Sequence, residues 1–226
     1  MQIFKSTISA YEKTYKQGYD KQYPSIELVR IEKIFFKKKG LVLDYGCGPG
    51  SNGIHLLQSG YDVVFCDISN IALKKLKLKL SKLGPKFQKK YKIVNILKQK
   101  NIFLEYKNKF DYVICMSVFN NFGNKKNAEE FIKRFNFILK KNGKLIIDTN
   151  LRNKHNYRRI KLKNKYYFTT NPKNLNYLEM YFPKNVNEFK ILLQNNNFLI
   201  KDIGHSSFKV FSSHESEIIV SAVKKN

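Results

Sequence analysis

The sequence is poor in several residues that mark particular classes of protein. It has no tryptophan, five prolines and three cysteines, which are Cys47, Cys66 and Cys115. The odd number of cysteines and their lack of metal-ligand spacing indicate free thiols in a reducing compartment. No apolar run approaches the roughly 18 residues of a membrane span, and the N-terminal residues lack the apolar core of a signal peptide. We therefore expect a soluble, cytoplasmic protein.

Acidic residues and arginine are also scarce. The chain has 17 acidic and 43 basic residues and a net charge of +26. Such a charge favours nucleic-acid partners, because binding releases counterions from phosphate. Only five basic residues are arginines, although arginine is the residue best suited to bidentate phosphate and guanine contacts. Lysine, Asn, Ile, Phe and Tyr all have A/T-rich codons, so genome composition explains the charge better than a nucleic-acid partner does.

Apolar runs alternate with helical patterns along most of the 226 residues. Strands are predicted at Leu41–Asp44, Tyr61–Asp67, Tyr91–Asn95, Phe110–Met116, Lys144–Thr149, Phe198–Gly204 and Glu217–Val223. Helices are predicted at Ser51–Ser59, after Ser69, at Ala128–Lys141 with Gly143 as its stop, and after Asn185. Only a polar loop, His205–Ser216, separates the last two strands. The pattern predicts an α/β fold, a doubly wound seven-stranded mostly parallel sheet with an antiparallel last strand and helices on both faces.

We expect one domain over residues 1–226. In its N-terminal segment at 1–36, Tyr11, Tyr15, Tyr19 and Tyr23 recur every four residues, which would align them on one face of a helix.

A glycine loop follows the first predicted strand in "LVLDYGCGPG". A dinucleotide fingerprint fits Gly46 and Gly48 but has Ser51 at its third glycine position. Pro49 removes a backbone donor, and Asp44 places a negative charge where a pyrophosphate would lie. No Gly-Lys-Ser/Thr follows, which excludes a P-loop. These departures point to a nucleoside that carries no phosphates and has a cationic end.

"VLDYGCGPG", followed by Asp67 at the next strand end, resembles the class I methyltransferases, over residues 38–150 and in the final strand pair. The likeness implies S-adenosylmethionine as cofactor and S-adenosylhomocysteine as product. It also implies that the ammonium of the methionine interacts with Asp44 and the ribose hydroxyls with Asp67. The loop residues that would contact the cofactor are Gly46, Cys47, Gly48 and Gly50. Within the family the chain resembles the small-molecule branch, some members of which act in surface-polysaccharide pathways.

The resemblance implies further contacts outside the loop. Asn95 would accept from the adenine amino group, while Ile68 and Ile96 would enclose the ring. Met116 and Ser117 would hold the methionine portion. Ordinary core packing is the alternative role for Ile68, Ile96, Met116 and Ser117. The resemblance also implies that the N-terminal segment at 1–36 is a lid and that the segment at 150–184 is a substrate-side insertion. From the lid, the candidates for the methionine carboxylate are Tyr15, Tyr19 and Arg30.

The stretch "CMSVFNNF" at the end of the fourth strand lacks [DN]-P-P-[YF] and a Pro-Cys pair, which disfavours methylation of DNA bases. The catalytic candidates are Asn120, with its neighbour Asn121, which could orient a hydroxyl or phosphate oxygen of the acceptor, and the possible bases His155 and His205. Asp148 lacks a second acidic residue at useful spacing, so no metal is expected.

The favoured function is methylation of an oxygen on a small polar acceptor, such as a sugar, a nucleotide-linked or a phosphorylated intermediate. The alternative is an RNA or protein methyltransferase that uses the lysine-rich surface. A fold that only binds is disfavoured, because Asp44, the glycines and Asp67 are all intact.

Overall fold

The computed structural model describes residues 5–99, 101–151, 159–162, 165–169, 177–210 and 213–225. At 5–6, 159–162, 165–169, 177–179, 208–210 and 213–215 the description covers the backbone alone. The strands are β1 Leu41–Tyr45, β2 Asp62–Asp67, β3 Tyr91–Asn95, β4 Phe110–Cys115, β5 Leu139–Thr149, β6 Arg159–Leu162, β7 Lys165–Thr169, β8 Tyr177–Glu179, β9 Phe198–Val210 and β10 Ser213–Lys224. The α-helices are α1 Lys5–Lys16, α2 Ile26–Phe35, α3 Ser51–Gln58, α4 Asn70–Leu80, α5 Ile102–Glu105, α6 Lys125–Ile138 and α7 Val186–Gln194.

Seven strands form one sheet in the order β3-β2-β1-β4-β5-β10-β9. The strands β1 to β5 pair in parallel, whereas β10 is antiparallel to both of its neighbours. This confirms the predicted seven-stranded sheet with its antiparallel last strand. The strand order reverses between β1 and β4, and ligands of such sheets bind at this switch point, beyond the carboxyl ends of the strands.

Helices cover both faces of the sheet and give it two apolar cores. One core lies under α5, α6 and α7 and contains Phe131, Phe135 and Phe189. The other lies under α2, α3 and α4 and contains Leu57 and Leu76. Because both faces are covered, the central strands are near-continuous apolar runs, which is typical of parallel sheets.

Two predicted boundaries are wrong. The helix predicted at Ala128–Lys141 begins at Lys125, where the side chain of Asn124 accepts the N–H of Asn127, and ends at Ile138. Gly143 is not its stop, since Leu139 already pairs with Phe110 in the sheet. The predicted loop His205–Ser216 mostly belongs to the long β9–β10 hairpin, whose cross-strand pairing runs through these residues. This polar hairpin is held by backbone pairing, so its sequence lacks the alternating apolar residues from which a strand is predicted.

A second sheet, β6-β7-β8, is antiparallel and lies within the predicted insertion, where the sequence pattern predicts no element. Its strand β8 approaches α1 and the short 3-10 turn Phe119–Phe122. None of the helices in the described part of the chain is long and apolar enough to cross a membrane.

Candidate cofactor site

The glycine loop between β1 and α3 folds back onto the end of β2. The N–H groups of Gly46 and Cys47 both donate to the carbonyl of Cys66, at 2.7 and 3.1 Å. Gly48 has a φ of +53°, and a Cβ added there would lie 2.8 Å from the hydroxyl oxygen of Tyr15. Glycine is therefore needed at 48 both for the backbone conformation and for space. The loop forms one wall of a cavity of about 340 Å³.

Asp67 ends β2 beside this loop and lines the cavity. It is only 6% exposed. Its Oδ2 accepts the N–H of Gly48 at 2.7 Å, and its Oδ1 accepts the N–H of Ser69 at 2.8 Å. Burial raises the pKa of Asp67 in spite of these bonds. Each carboxylate oxygen has a further lone pair, so the group is able to accept a pair of ligand hydroxyls as well.

Asp44 is buried near the end of β1, just before the loop, and is 2% exposed. Its Oδ2 has no hydrogen-bond partner among the described residues. Burial raises its pKa to about 7; the charge of Asp67 adds to this, while the Gly53 N–H and the Lys21 ammonium oppose it. A buried carboxylate with an unpartnered oxygen gains most from a cationic ligand.

Helix α1 and the segment after it cover the cavity. Tyr15 is buried at 7% exposure, and its ring centroid lies 6.2 Å from that of Tyr11 and 5.9 Å from that of Tyr19. Burial, followed by the charge of Asp67, raises the pKa of Tyr15 far above its ordinary value. Lys21 also lines the cavity, and its ammonium donates to Ser25 Oγ at 2.8 Å. The fourth tyrosine of the predicted stripe, Tyr23, lies beyond α1 and is 80% exposed.

The remaining wall is apolar. Ile68, Ile96 and Met116 line the cavity, as the sequence resemblance implies. Phe122 and Phe131 line it too, stacked with ring centroids 4.1 Å apart. These two phenylalanines were not predicted as site residues, because the helical spacing of Phe131 indicates only a core-facing position.

Residues 43–145 match the family model of a methyltransferase domain. This segment contains the glycine loop, Asp67 and the strands that surround the cavity. The part of the chain that forms the cavity therefore resembles methyltransferase domains.

The chain is also similar in part to a protein whose activity is not described. An uncharacterized protein of Methanocaldococcus jannaschii is 36% identical over 118 residues, which make up 52% of this chain and 44% of that protein. The match therefore spans less than half the length of this curated relative.

Solved structures share the fold at low identity. A S-adenosylmethionine-dependent methyltransferase from Methanosarcina mazei has a TM-score of 0.67 and 17% identity, covering 86% of this chain and 97% of that one. A 1,6-didemethyltoxoflavin-N1-methyltransferase from Burkholderia thailandensis, with its substrate and S-adenosylhomocysteine bound, has a TM-score of 0.71, 16% identity and coverages of 98% and 88%. The magnesium protoporphyrin IX methyltransferase from Synechocystis has a TM-score of 0.62, 17% identity and coverages of 100% and 90%.

Beyond β4, the cavity is lined by Ser117 and Asn121. Ser117 has a φ of +59°, and its N–H donates to both oxygens of Asp148, at 2.7 and 2.9 Å. Asp148 is buried, and burial together with the charge of Glu217 raises its pKa well above the ordinary range. Asp148 therefore holds the turn that carries Ser117, from beneath the cavity.

Asn120 does not line the cavity. Its amide nitrogen donates to Thr149 Oγ1 and to the carbonyls of Asn150 and Tyr181, and its amide oxygen accepts the N–H of Asn150. It ties the turn after β4 to the end of β5. Its neighbour Asn121 lines the cavity, and the buried Oδ1 of Asn121 has no partner among the described residues. Of the pair, the structure therefore brings Asn121 to the cavity.

Five other predicted site residues do not line the cavity, and the buried Asp44 is one of them. Gly50 caps α3 and faces Leu76 of α4. Asn95 braces the loop after β2, donating to the Ile68 carbonyl at 3.2 Å. Arg30 and His205 line a separate cleft of about 220 Å³ between α2 and β9–β10.

His205 shares a 2.7 Å hydrogen bond between its Nε2 and Ser216 Oγ. Because it sits in the hairpin rather than in a loop over the strand ends, it is not brought to the cavity. The other candidate base, His155, lies outside the described residues.

Proposed function

We propose that this protein is a class I methyltransferase that uses S-adenosylmethionine to methylate an oxygen of a small polar metabolite, such as a sugar or a nucleotide-linked intermediate. The observation that carries the proposal is the pairing of buried Asp67 with the glycine loop at the switch point of the sheet, next to Asp44, whose Oδ2 has no hydrogen-bond partner among the described residues. When bound, S-adenosylmethionine supplies a methyl group on a sulfonium, which leaves by in-line displacement.

The residues of the cavity fit this cofactor. Asp67 would accept the ribose hydroxyls, and Ile68 and Ile96 would enclose the adenine. The buried Oδ2 of Asp44 would face the α-ammonium, directly or through water. Among the described lining residues, Lys21 is the only lysine or arginine, so we assign it, rather than Arg30, to the carboxylate of the methionine portion.

On the acceptor side, the chain has to position the nucleophile and take up its proton. Asn121 would orient the acceptor oxygen through its free amide oxygen. His155 stays the candidate base, since no histidine lines the described part of the cavity. Asp148 would keep Ser117 in place beneath the acceptor.

The structural neighbours support a small acceptor, because they include enzymes named for small molecules, didemethyltoxoflavin and magnesium protoporphyrin IX.

The test is calorimetric titration with S-adenosylhomocysteine of the wild type, Asp67→Asn and Asp62→Asn. Asp62 is the exposed aspartate at the start of the same strand and serves as a matched control. We expect micromolar binding by the wild type, a loss of roughly a hundredfold in Asp67→Asn and no change in Asp62→Asn. Methyl transfer to sugars, nucleotide sugars and RNA is then compared with the same protein. No binding by the wild type would overturn the proposal, and preferred methylation of RNA would overturn the substrate class.

A further inference from the structure

Helix α1 is fastened to α4 by one carboxylate that the cofactor assignment does not use. Glu12 Oε1 accepts the N–H of Asn70 at 2.7 Å. Glu12 Oε2 accepts the hydroxyl of Ser69 at 3.1 Å and the N–H of Ile71 at 3.3 Å. The first N–H groups of a helix have no partner within the helix, and a carboxylate stabilises them with its charge as well as its hydrogen bonds.

Ser69 joins Glu12 to the residue that would bind the ribose. It is fully buried. Its N–H donates to Asp67 Oδ1 at 2.8 Å, and its Oγ accepts the N–H of Ala72 at 3.1 Å while donating to Glu12. A continuous hydrogen-bonded path therefore runs from the cavity carboxylate of Asp67, through Ser69, to the helix that covers the cavity.

A second attachment between the same segments does not touch this path. The ammonium of Lys79, on α4, lies 2.5 Å from Asp20 Oδ1, and that of Lys75 donates to the carbonyl of Tyr19 at 3.0 Å. Both attachments hold the N-terminal segment against α4 through an acidic side chain. Only the one made by Glu12 reaches the loop that begins at Asp67.

We propose that Glu12 is a positioning residue for cofactor binding: through Ser69 it fixes the Asp67 carboxylate, and it keeps α1 closed over the bound cofactor. The inference rests on the proposed function. Ligand release requires α1 to leave the cavity mouth, so the bonds of Glu12 must break before the product departs. Glu12 thus slows dissociation without touching the ligand.

Glu12→Gln and Asp20→Asn form a matched pair, because each neutralises one carboxylate that joins the N-terminal segment to α4. The dissociation rate of S-adenosylhomocysteine is measured by stopped flow and its affinity by calorimetry. We expect Glu12→Gln to raise the dissociation rate roughly tenfold, since charge-assisted bonds are lost. Asp20→Asn should change the rate by less than about twofold, because the partly buried ion pair of Asp20 with Lys79 makes no contact with Ser69 or Asp67.

A double-mutant cycle separates positioning from general support of the fold. Glu12→Gln and Ser69→Ala share one hydrogen bond, so their effects on the dissociation rate should be clearly less than additive. Amide exchange at Asn70 and Ile71 should be faster in Glu12→Gln than in Asp20→Asn, whatever the melting temperatures.

Equal dissociation rates in the two single variants, or equal exchange at these amides, would overturn the role of Glu12 and leave the proposed function intact. Failure of the wild type to bind S-adenosylhomocysteine would instead overturn the proposed function.

Discussion

The buried carboxylate of Asp44 makes a quantitative prediction about pH and stability. Its ordinary pKa of 3.8 is raised to about 7 in the folded chain, mainly by burial. In Asp44→Asn the side chain keeps its shape and carries no charge at any pH. The substitution therefore isolates the free energy of holding this charge inside the protein, where the Gly53 N–H and the Lys21 ammonium offset part of the cost of burial.

The sign follows from linkage between folding and protonation. A carboxyl whose pKa is higher in the folded than in the unfolded state stabilises the fold at low pH, and this contribution disappears as the pH rises through the folded value. The shift of Asp44 corresponds to roughly 4 kcal/mol, lost between about pH 4 and pH 7. Without ligand, the free energy of unfolding of Asp44→Asn, relative to that of the wild type, should therefore increase by about 3 kcal/mol between pH 5 and pH 8.

Urea unfolding of both proteins at pH 5, 6, 7 and 8 measures this difference. The shared contributions of other groups, such as Asp148, cancel when the two curves are subtracted. Binding of S-adenosylhomocysteine should behave in the opposite way, because the α-ammonium needs the ionised carboxylate. Wild-type affinity should rise with pH through about 7, whereas that of the variant should be lower and flat.

Parallel stability curves for the two proteins would refute the reasoning, since they would mean that Asp44 keeps the same charge in the folded and unfolded states. A variant that is less stable at every pH would refute it as well. It would show that the carboxylate has a strong internal partner.

Three further predictions concern single side chains near the cavity. Asn120→Ala should lower the free energy of unfolding by about 1–3 kcal/mol, because it leaves buried carbonyls unpaired. Asn121→Ala should keep the free energy of unfolding within about 0.5 kcal/mol of the wild type and slow methyl transfer roughly tenfold or more. Denaturation and single-turnover assays separate the two variants, and an equal loss of stability would contradict the assignment. Gly48→Ala should lower the free energy of unfolding by about 1–2 kcal/mol, because residue 48 has a left-handed backbone, and it should weaken S-adenosylhomocysteine binding. Adding Tyr15→Phe should restore part of the binding, because it removes the hydroxyl that lies 2.8 Å from the new methyl group. No recovery would mean that α1 does not close over the cavity as described. His205→Ala should leave cofactor affinity and turnover within about twofold, because its cleft is separate from the cavity; a loss of turnover would return His205 to the catalytic candidates.

Local sequence patterns determined the sheet and the centre of the cofactor site. The strands β1 to β4 are short apolar runs, and their period and bounding turns are visible without any knowledge of packing. The glycine loop and Asp67 are equally local features, because positive φ angles and a carboxylate at a strand end are properties of single positions. Parallel strands then bring these two features together at one edge of the sheet, whatever the rest of the chain does.

Only the tertiary structure decided which side chains from distant segments complete the site. Tyr15, Lys21 and Glu12 reach the cavity or its rim because α1 docks on α4 in one register, and that docking depends on contacts between residues more than fifty positions apart. The choice between Asn120 and Asn121 depends on which amide finds backbone partners at the end of β5. Helical or strand periodicity carries no information about such contacts, since the same local pattern is compatible with many ways of packing one element on another.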